Sequence, residues 1–70
     1  MNQLETDLLA AHAAGDKPSL VALYSKASHQ ATDLDAACFY AVYAYIFALE
    51  INHPKQTELF NFLKQHGREA

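Results

Sequence analysis

The sequence contains one cysteine, no tryptophan, two glycines and two prolines among its 70 residues. A lone Cys38 cannot form an intramolecular bridge, so a disulfide framework is excluded. Glycine and proline are sparse enough that each falls where a helix would start or stop, and no strand pattern competes with a helical reading. Basic residues are few as well. Five Lys and Arg, scattered as Lys17, Lys26, Lys55, Lys64 and Arg68, face eight acids, which gives a formal charge of −3 and no basic stripe to neutralise phosphates. No nucleic acid partner is therefore expected.

Long apolar runs are missing too. The longest uncharged apolar stretch, Ala36 to Leu49, has 14 residues, short of the ~18 that read as a spanning helix. No membrane association is expected from it. The first residues carry Glu5 and Asp7 where a secretory leader would need a basic start and an apolar stretch, so a cytoplasmic location is the expectation. No Gly-rich phosphate loop, no Ser-His-Asp grouping and no other catalytic motif is present.

What is present is apolar and aromatic: 51% hydrophobic residues, including four Phe and four Tyr. Disordered chains are poor in such residues, so this one folds. A chain of this size buries only roughly 60% of its unfolded surface, and its core rarely supplies more than ~3–5 kcal/mol unaided. A partner chain is the natural supplement here.

The punctuation divides the chain into four helices, at about 3–14, 17–31, 33–52 and 54–66, within a single domain spanning 1–70. The first has Asn2 as N-cap, Glu5 in the capping-box position, and Gly15 as its left-handed stop; Leu4, Leu8 and Ala11 form its apolar stripe, broadened by Leu9. Asp16 caps the second, which tolerates Pro18 in its first turn and points Leu20, Leu23, Tyr24, Ala27 and Ala31 inward. Thr32, Asp33 and Asp35 supply a cap and two acids for the third helix.

That third helix carries large apolar side chains around nearly its whole circumference, among them Phe39, Tyr43, Ile46 and Phe47. A helix apolar all round is central in its assembly, and this chain has few elements to cover it. The fourth starts near Pro54, with Asn52 and His53 as caps, presents Leu59, Phe60 and Leu63 on one face with Phe62 flanking, and ends at Gly67. Residues 68–70 read as a frayed tail.

Shifting the sequence by 36 residues places Pro18 on Pro54, Leu23 on Leu59, Tyr24 on Phe60 and Asp16 on Asn52. A period in the thirties built from two helices is the mark of helical repeats that bury their apolar faces by stacking. The segment from Gly15 to Ala27, with Leu20, Tyr24 and Ala27 at characteristic positions, resembles the second half of a tetratricopeptide repeat. Ala48-Leu49-Glu50-Ile51-Asn52-His53-Pro54 is similar to the run that closes many such repeats. Asp7 and Leu8 depart from the family pattern, which has Leu and a small residue at those places. The aromatic run around Tyr43 also resembles that of small bacterial proteins carrying these repeats. The resemblance implies an all-α fold of four short antiparallel helices forming two tetratricopeptide-like hairpins, and an interaction scaffold with no chemistry of its own.

Three chemical readings compete with it. His12, His29, His53 and His66 include no i, i+4 pair and no HExxH-like spacing, so surface, helix-end and cap roles fit them better than a metal site. Cys38 lies in the first turns of the third helix but is flanked by Ala37 and Phe39, which suits a buried packing role more than a nucleophile. Asp33 with Asp35, and Glu5 with Asp7, are two apart and do not face each other on a helix, so helix-start electrostatics explain them.

The expectation is thus a non-enzymatic protein-protein interaction module with no cofactor, which self-associates as a homodimer through Phe39, Tyr43, Ile46 and Phe47. The alternative is a module that binds a small apolar ligand, a peptide or another protein through the same aromatics, with Tyr24, Tyr40, Tyr43 and Tyr45 lining a groove.

Overall fold

The computed structural model describes residues 2–68 and contains four helices: α1 (Gln3–Ala14), α2 (Lys17–Gln30), α3 (Leu34–Glu50) and α4 (Gln56–Gln65). The fold is all-α. Three starts are fixed by side-chain caps that satisfy an otherwise orphaned N–H. The Glu5 N–H donates to Asn2 Oδ1 at 2.8 Å, the Ser19 N–H to Asp16 Oδ1 at 3.3 Å, and the Ala36 N–H to Asp33 Oδ1 at 2.8 Å.

Three ends share one backbone device, a left-handed residue whose N–H and that of its successor bond back to the last turn. Gly15 (φ 65°) and Asp16 donate to His12 and Ala11, and Gly67 (φ 70°) and Arg68 donate to Lys64 and Leu63. Asn52 adopts the same conformation (φ 52°), with its N–H bonded to Leu49 and that of His53 to Ala48. Asn52 therefore closes α3 and does not cap α4, which corrects the sequence expectation and breaks the match between Asp16 and Asn52. The cap-like role at the next turn falls to His53, whose Nδ1 accepts the Lys55 N–H at 3.0 Å. This exit geometry ends α3 at Glu50 and delays α4 to Gln56, two residues inside each of the expected bounds at 52 and 54.

Each helix packs against the next in the chain, with the α2–α3 contact the most extensive. Ion pairs mark the antiparallel courses. Lys17 at the start of α2 meets Glu50 at the end of α3 at 2.7 Å, and Arg68 beyond α4 meets Asp35 in the first turn of α3 at 2.8 Å. Arg68 thus has a partner on α3, and its N–H closes on Leu63; Glu69 and Ala70 lie outside the described residues. All these side chains are substantially exposed, so the pairs orient helix ends and add little stability.

The core fixes the orientation of α3, which its all-round apolar sequence leaves open. Its buried residues are the small ones, Cys38, Ala41, Ala44 and Ala48, at spacings of three, three and four. Val21 from α2 and Leu59 and Leu63 from α4 pack onto this stripe. Small side chains let the flanking backbones approach closely, so the large residues of α3 are displaced to its sides and outer face. The molecule is a slab of 31 × 28 × 15 Å, and α3 keeps one long face uncovered.

Other inward assignments shift for the same reason. Ala11 is buried with Leu4 and Leu8 half-buried beside it, whereas Leu9 is 61% exposed. On α2, Leu20 and Ala27 are buried as expected, but Val21 and Ser25 join them, while Leu23 and Tyr24 are half-buried. On α4, Phe62 packs toward the core and Phe60 turns outward.

Among the described residues, Ser25 Oγ is the one buried side-chain polar atom without a hydrogen-bond partner. Leaving a hydroxyl unpaired costs about 1–3 kcal/mol, and Ala is the better helix former. Ser25→Ala is expected to raise stability by about 1 kcal/mol, measured as a higher urea midpoint with an unchanged m-value.

Candidate functional site

The uncovered face of α3 carries Phe39, Tyr43 and Ile46, 56%, 40% and 43% exposed. Their spacing of four then three continues to Glu50, so the set forms one narrow seam along the helix, the a/d pattern with which two helices pair. At 100° per residue this seam lies opposite the buried stripe of Ala41, Ala44 and Ala48. Leu49, 51% exposed, lies to one side of it.

Behind the seam stands a connected set of rings. Tyr24 from α2 is its hub, stacked on Tyr43 at 5.4 Å and on Phe47 at 6.0 Å, with Tyr40 at 6.3 Å. Phe39 meets Tyr40 and Tyr43 edge-on at 5.4 and 5.0 Å. His12 of α1 closes the set, edge-on to Tyr24 and Phe47, with Nε2 2.8 Å from the Tyr24 hydroxyl. Edge-to-face and offset ring pairs add about 0.5–1.5 kcal/mol each beyond their buried area. The Phe39 and Tyr43 rings of the seam are accordingly packed against an aromatic set contributed by α1, α2 and α3.

Of the four expected interface residues, the structure exposes Phe39, Tyr43 and Ile46 together. Phe47 differs. It is half-buried against Tyr24 and His12 and packs on the core, because a residue one position past Ile46 points about 100° away from the seam. Tyr40 and Tyr43 share the Tyr24 cluster, while Tyr45 lies on another side against Phe60 at 6.0 Å. His12 is the participant that sequence reasoning missed: its place one helical turn before Gly15 shows only a helix-end position, and its partner Tyr24 is contributed by another helix.

The acids at the two ends of the seam, Asp35 and Glu50, are those paired with Arg68 and Lys17. Both carboxylates are therefore locally neutralised by the chain itself. Cys38 is 2% exposed and lies in the core, and no three metal-ligating side chains converge among the described residues. Nor is any helix there long and apolar enough to cross a membrane.

Burial, and then the neighbouring Tyr43 and Tyr40 hydroxyls, push the Tyr24 phenol above the ordinary tyrosine value. The folded chain thus holds this proton to higher pH than the unfolded chain does. The contribution is intact below about pH 10 and is lost as pH rises through the folded value. Tyr24→Phe is expected to cost about 1 kcal/mol near pH 8 through the lost His12 bond. It should also make the fall in melting temperature between about pH 9 and about pH 11 less steep. An equally steep fall in both proteins would contradict the assignment.

No protein-family model matches this chain, no curated protein matches it, and no solved structure does. The geometry of the seam and its aromatic backing therefore carries the functional reading.

Proposed function

We propose that the chain is a non-enzymatic interaction module whose α3 seam pairs with the same seam of a second copy, in a homodimer related by a two-fold axis. The observation that carries this reading is the exposed four-three spacing of Phe39, Tyr43 and Ile46 on the helix that the chain's own elements leave half covered. A two-fold operator makes such a patch self-complementary. An antiparallel α3–α3 contact would bring Asp35 of one copy toward Glu50 of the other, and the basic partner that each acid has within its own chain lessens the repulsion this would cause.

Area sets the extent of the interface. A stable contact buries ~800 Å2 per partner, about a fifth of the 4495 Å2 exposed by one chain. Phe39, Tyr43 and Ile46 supply on the order of 300 Å2 of that, so flanking apolar residues, Leu49 first among them, complete it. Small-ligand binding by the aromatics has less support, since Tyr24, Tyr40 and Tyr45 each border a different shallow cleft and do not converge on one groove.

The tetratricopeptide-like resemblance belongs to the same reading. Arrays of such repeats require about three units, and two chains of two hairpins joined across α3 would supply four. Sedimentation equilibrium from about 1 to about 500 μM is the test. A mass approaching twice 7.8 kDa is expected, and a monomer throughout would overturn the proposal.

A further inference from the structure

Helix α1 carries a second apolar strip on the side of the molecule that bears the α3 seam. Leu9 is 61% exposed, and with Glu5, Leu8 and His12 it borders a shallow cleft beside the Tyr24 ring, the ring stacked on Tyr43 of the seam. Helices α1 and α3 run parallel, with His12 beside Phe47 near their ends and Leu4 sharing a cleft with Tyr40 nearer their starts. Residues about 35 apart in sequence therefore stand level on the two helices. Each strip is self-complementary about a midpoint. On α3, Phe39 and Ile46 flank a midpoint beside Tyr43; on α1, Glu5 and His12 flank a midpoint between Leu8 and Leu9. At 1.5 Å per residue the two midpoints lie within about 3 Å of one level.

We infer that the contact between two copies extends from the α3 seam to α1, with Leu8 and Leu9 meeting their counterparts near the two-fold axis and Glu5 of each copy paired with His12 of the other. This extension rests on the α3 pairing proposed above. A two-fold axis lying in the contact plane at right angles to α3 sets α3 against α3 and, by the same rotation, α1 against α1. Area calls for the second strip: even with Leu49, the α3 seam falls short of the ~800 Å2 that a stable contact buries on each partner. Leu9 is the most exposed large apolar side chain among the described residues. Charge favours the same register, because it sets an acid against an imidazole at both ends of the α1 contact and brings no like charges together. Asp7 stays out of it, on the other side of α1 in a different cleft. The His12 ring is also suitably prepared. Its Nε2 lies 2.8 Å from the Tyr24 hydroxyl, and with Tyr24 donating, the neutral ring carries its own proton on Nδ1, a donor for a carboxylate.

Leu9→Gln in the full chain, followed by sedimentation equilibrium with circular dichroism on the same samples, tests the inference. Leu and Gln are both good helix formers and the position is exposed, so the chain keeps its fold. The dimer dissociation constant is expected to rise about tenfold or more. Ala10→Gln, one position on and about 100° round the helix, should dimerise as the native chain does. Glu5→Lys removes the acid facing His12 at both ends of the α1 contact and should raise the constant about threefold. A native dimer unaffected by Leu9→Gln or by Glu5→Lys, or weakened equally by Ala10→Gln, would overturn the α1 contact and leave the α3 seam standing. A native chain that is monomeric at all concentrations would overturn the seam and the α1 contact together.

Discussion

On the proposed pairing of α3 seams, Ile46→Glu is expected to leave the chain monomeric while keeping its helical content in place. The side chain is 43% exposed and sits centrally in the α3 seam. As a surface position of the single chain, it should change fold stability by no more than about 0.5 kcal/mol, and Glu is a better helix former than Ile. At a central interface position the same change costs about 2 kcal/mol or more, and a two-fold contact incurs it twice. The dimer dissociation constant should therefore rise about a thousandfold, measured by sedimentation equilibrium with circular dichroism on the same samples. Phe47→Glu should behave differently. Phe47 lies against Tyr24 and His12, so a charge there should lower the melting temperature of the chain itself. Matching behaviour of the two variants would contradict the division between seam and aromatic wall.

The second large effect is expected on the opposite face. Ala44 is 0% exposed, in the stripe where α2 and α4 pack onto α3, and Ala44→Leu forces three additional carbons into that contact. Overpacking costs about 1–3 kcal/mol, against a core that supplies only ~3–5 kcal/mol in a chain of this size. A fall of about 4–24 °C in melting temperature follows. Ala22→Leu, on the exposed side of α2, is the control and should leave the melting temperature nearly unchanged. An Ala44→Leu protein as stable as the native chain would mean that α3 does not depend on its small residues for close packing.

These two faces show where the sequence is informative and where it falls silent. Asn2 and Asp16 could be read as caps because capping is local, a bond from a side chain to an N–H three residues on; the third cap lies one residue beyond the expected Thr32, since it is the Asp33 side chain that accepts the Ala36 N–H. Gly15 and Gly67 could be read as stops because φ > 0 favours a residue without Cβ. Asn52 escaped, since asparagine serves both as a helix start and as a left-handed stop, and only the backbone decides between them.

The orientation of α3 was illegible for a different reason. A helix apolar around its whole circumference has no preferred face, so its sequence leaves the core side and the outer side undivided. The recurrence of Cys38, Ala41, Ala44 and Ala48 was the available signal, because small residues at helical spacing permit close backbone approach. Leu9, Phe60 and Phe62 were misplaced in turn, since their surroundings depend on how α3 is rotated. Of the four residues named from bulk for an interface, Phe39, Tyr43 and Ile46 share one exposed face. Phe47 was grouped with them because periodicity was not applied to separate neighbours 100° apart. Ser25 gave no warning: a serine within a helix is ordinarily solvent-facing, and its burial follows from where α3 and α4 lie.

The central claim is that the α3 seam meets its own copy. The most direct measurement is a filtered nuclear Overhauser spectrum on an equal mixture of isotope-labelled and unlabelled chains, which reports only contacts between copies. Cross-peaks from the Ile46 methyl groups of one copy to the Phe39 and Tyr43 rings of the other are the predicted result. Intermolecular peaks confined to residues such as Phe60 or Leu34, or none at concentrations where the mass is that of a dimer, would contradict it.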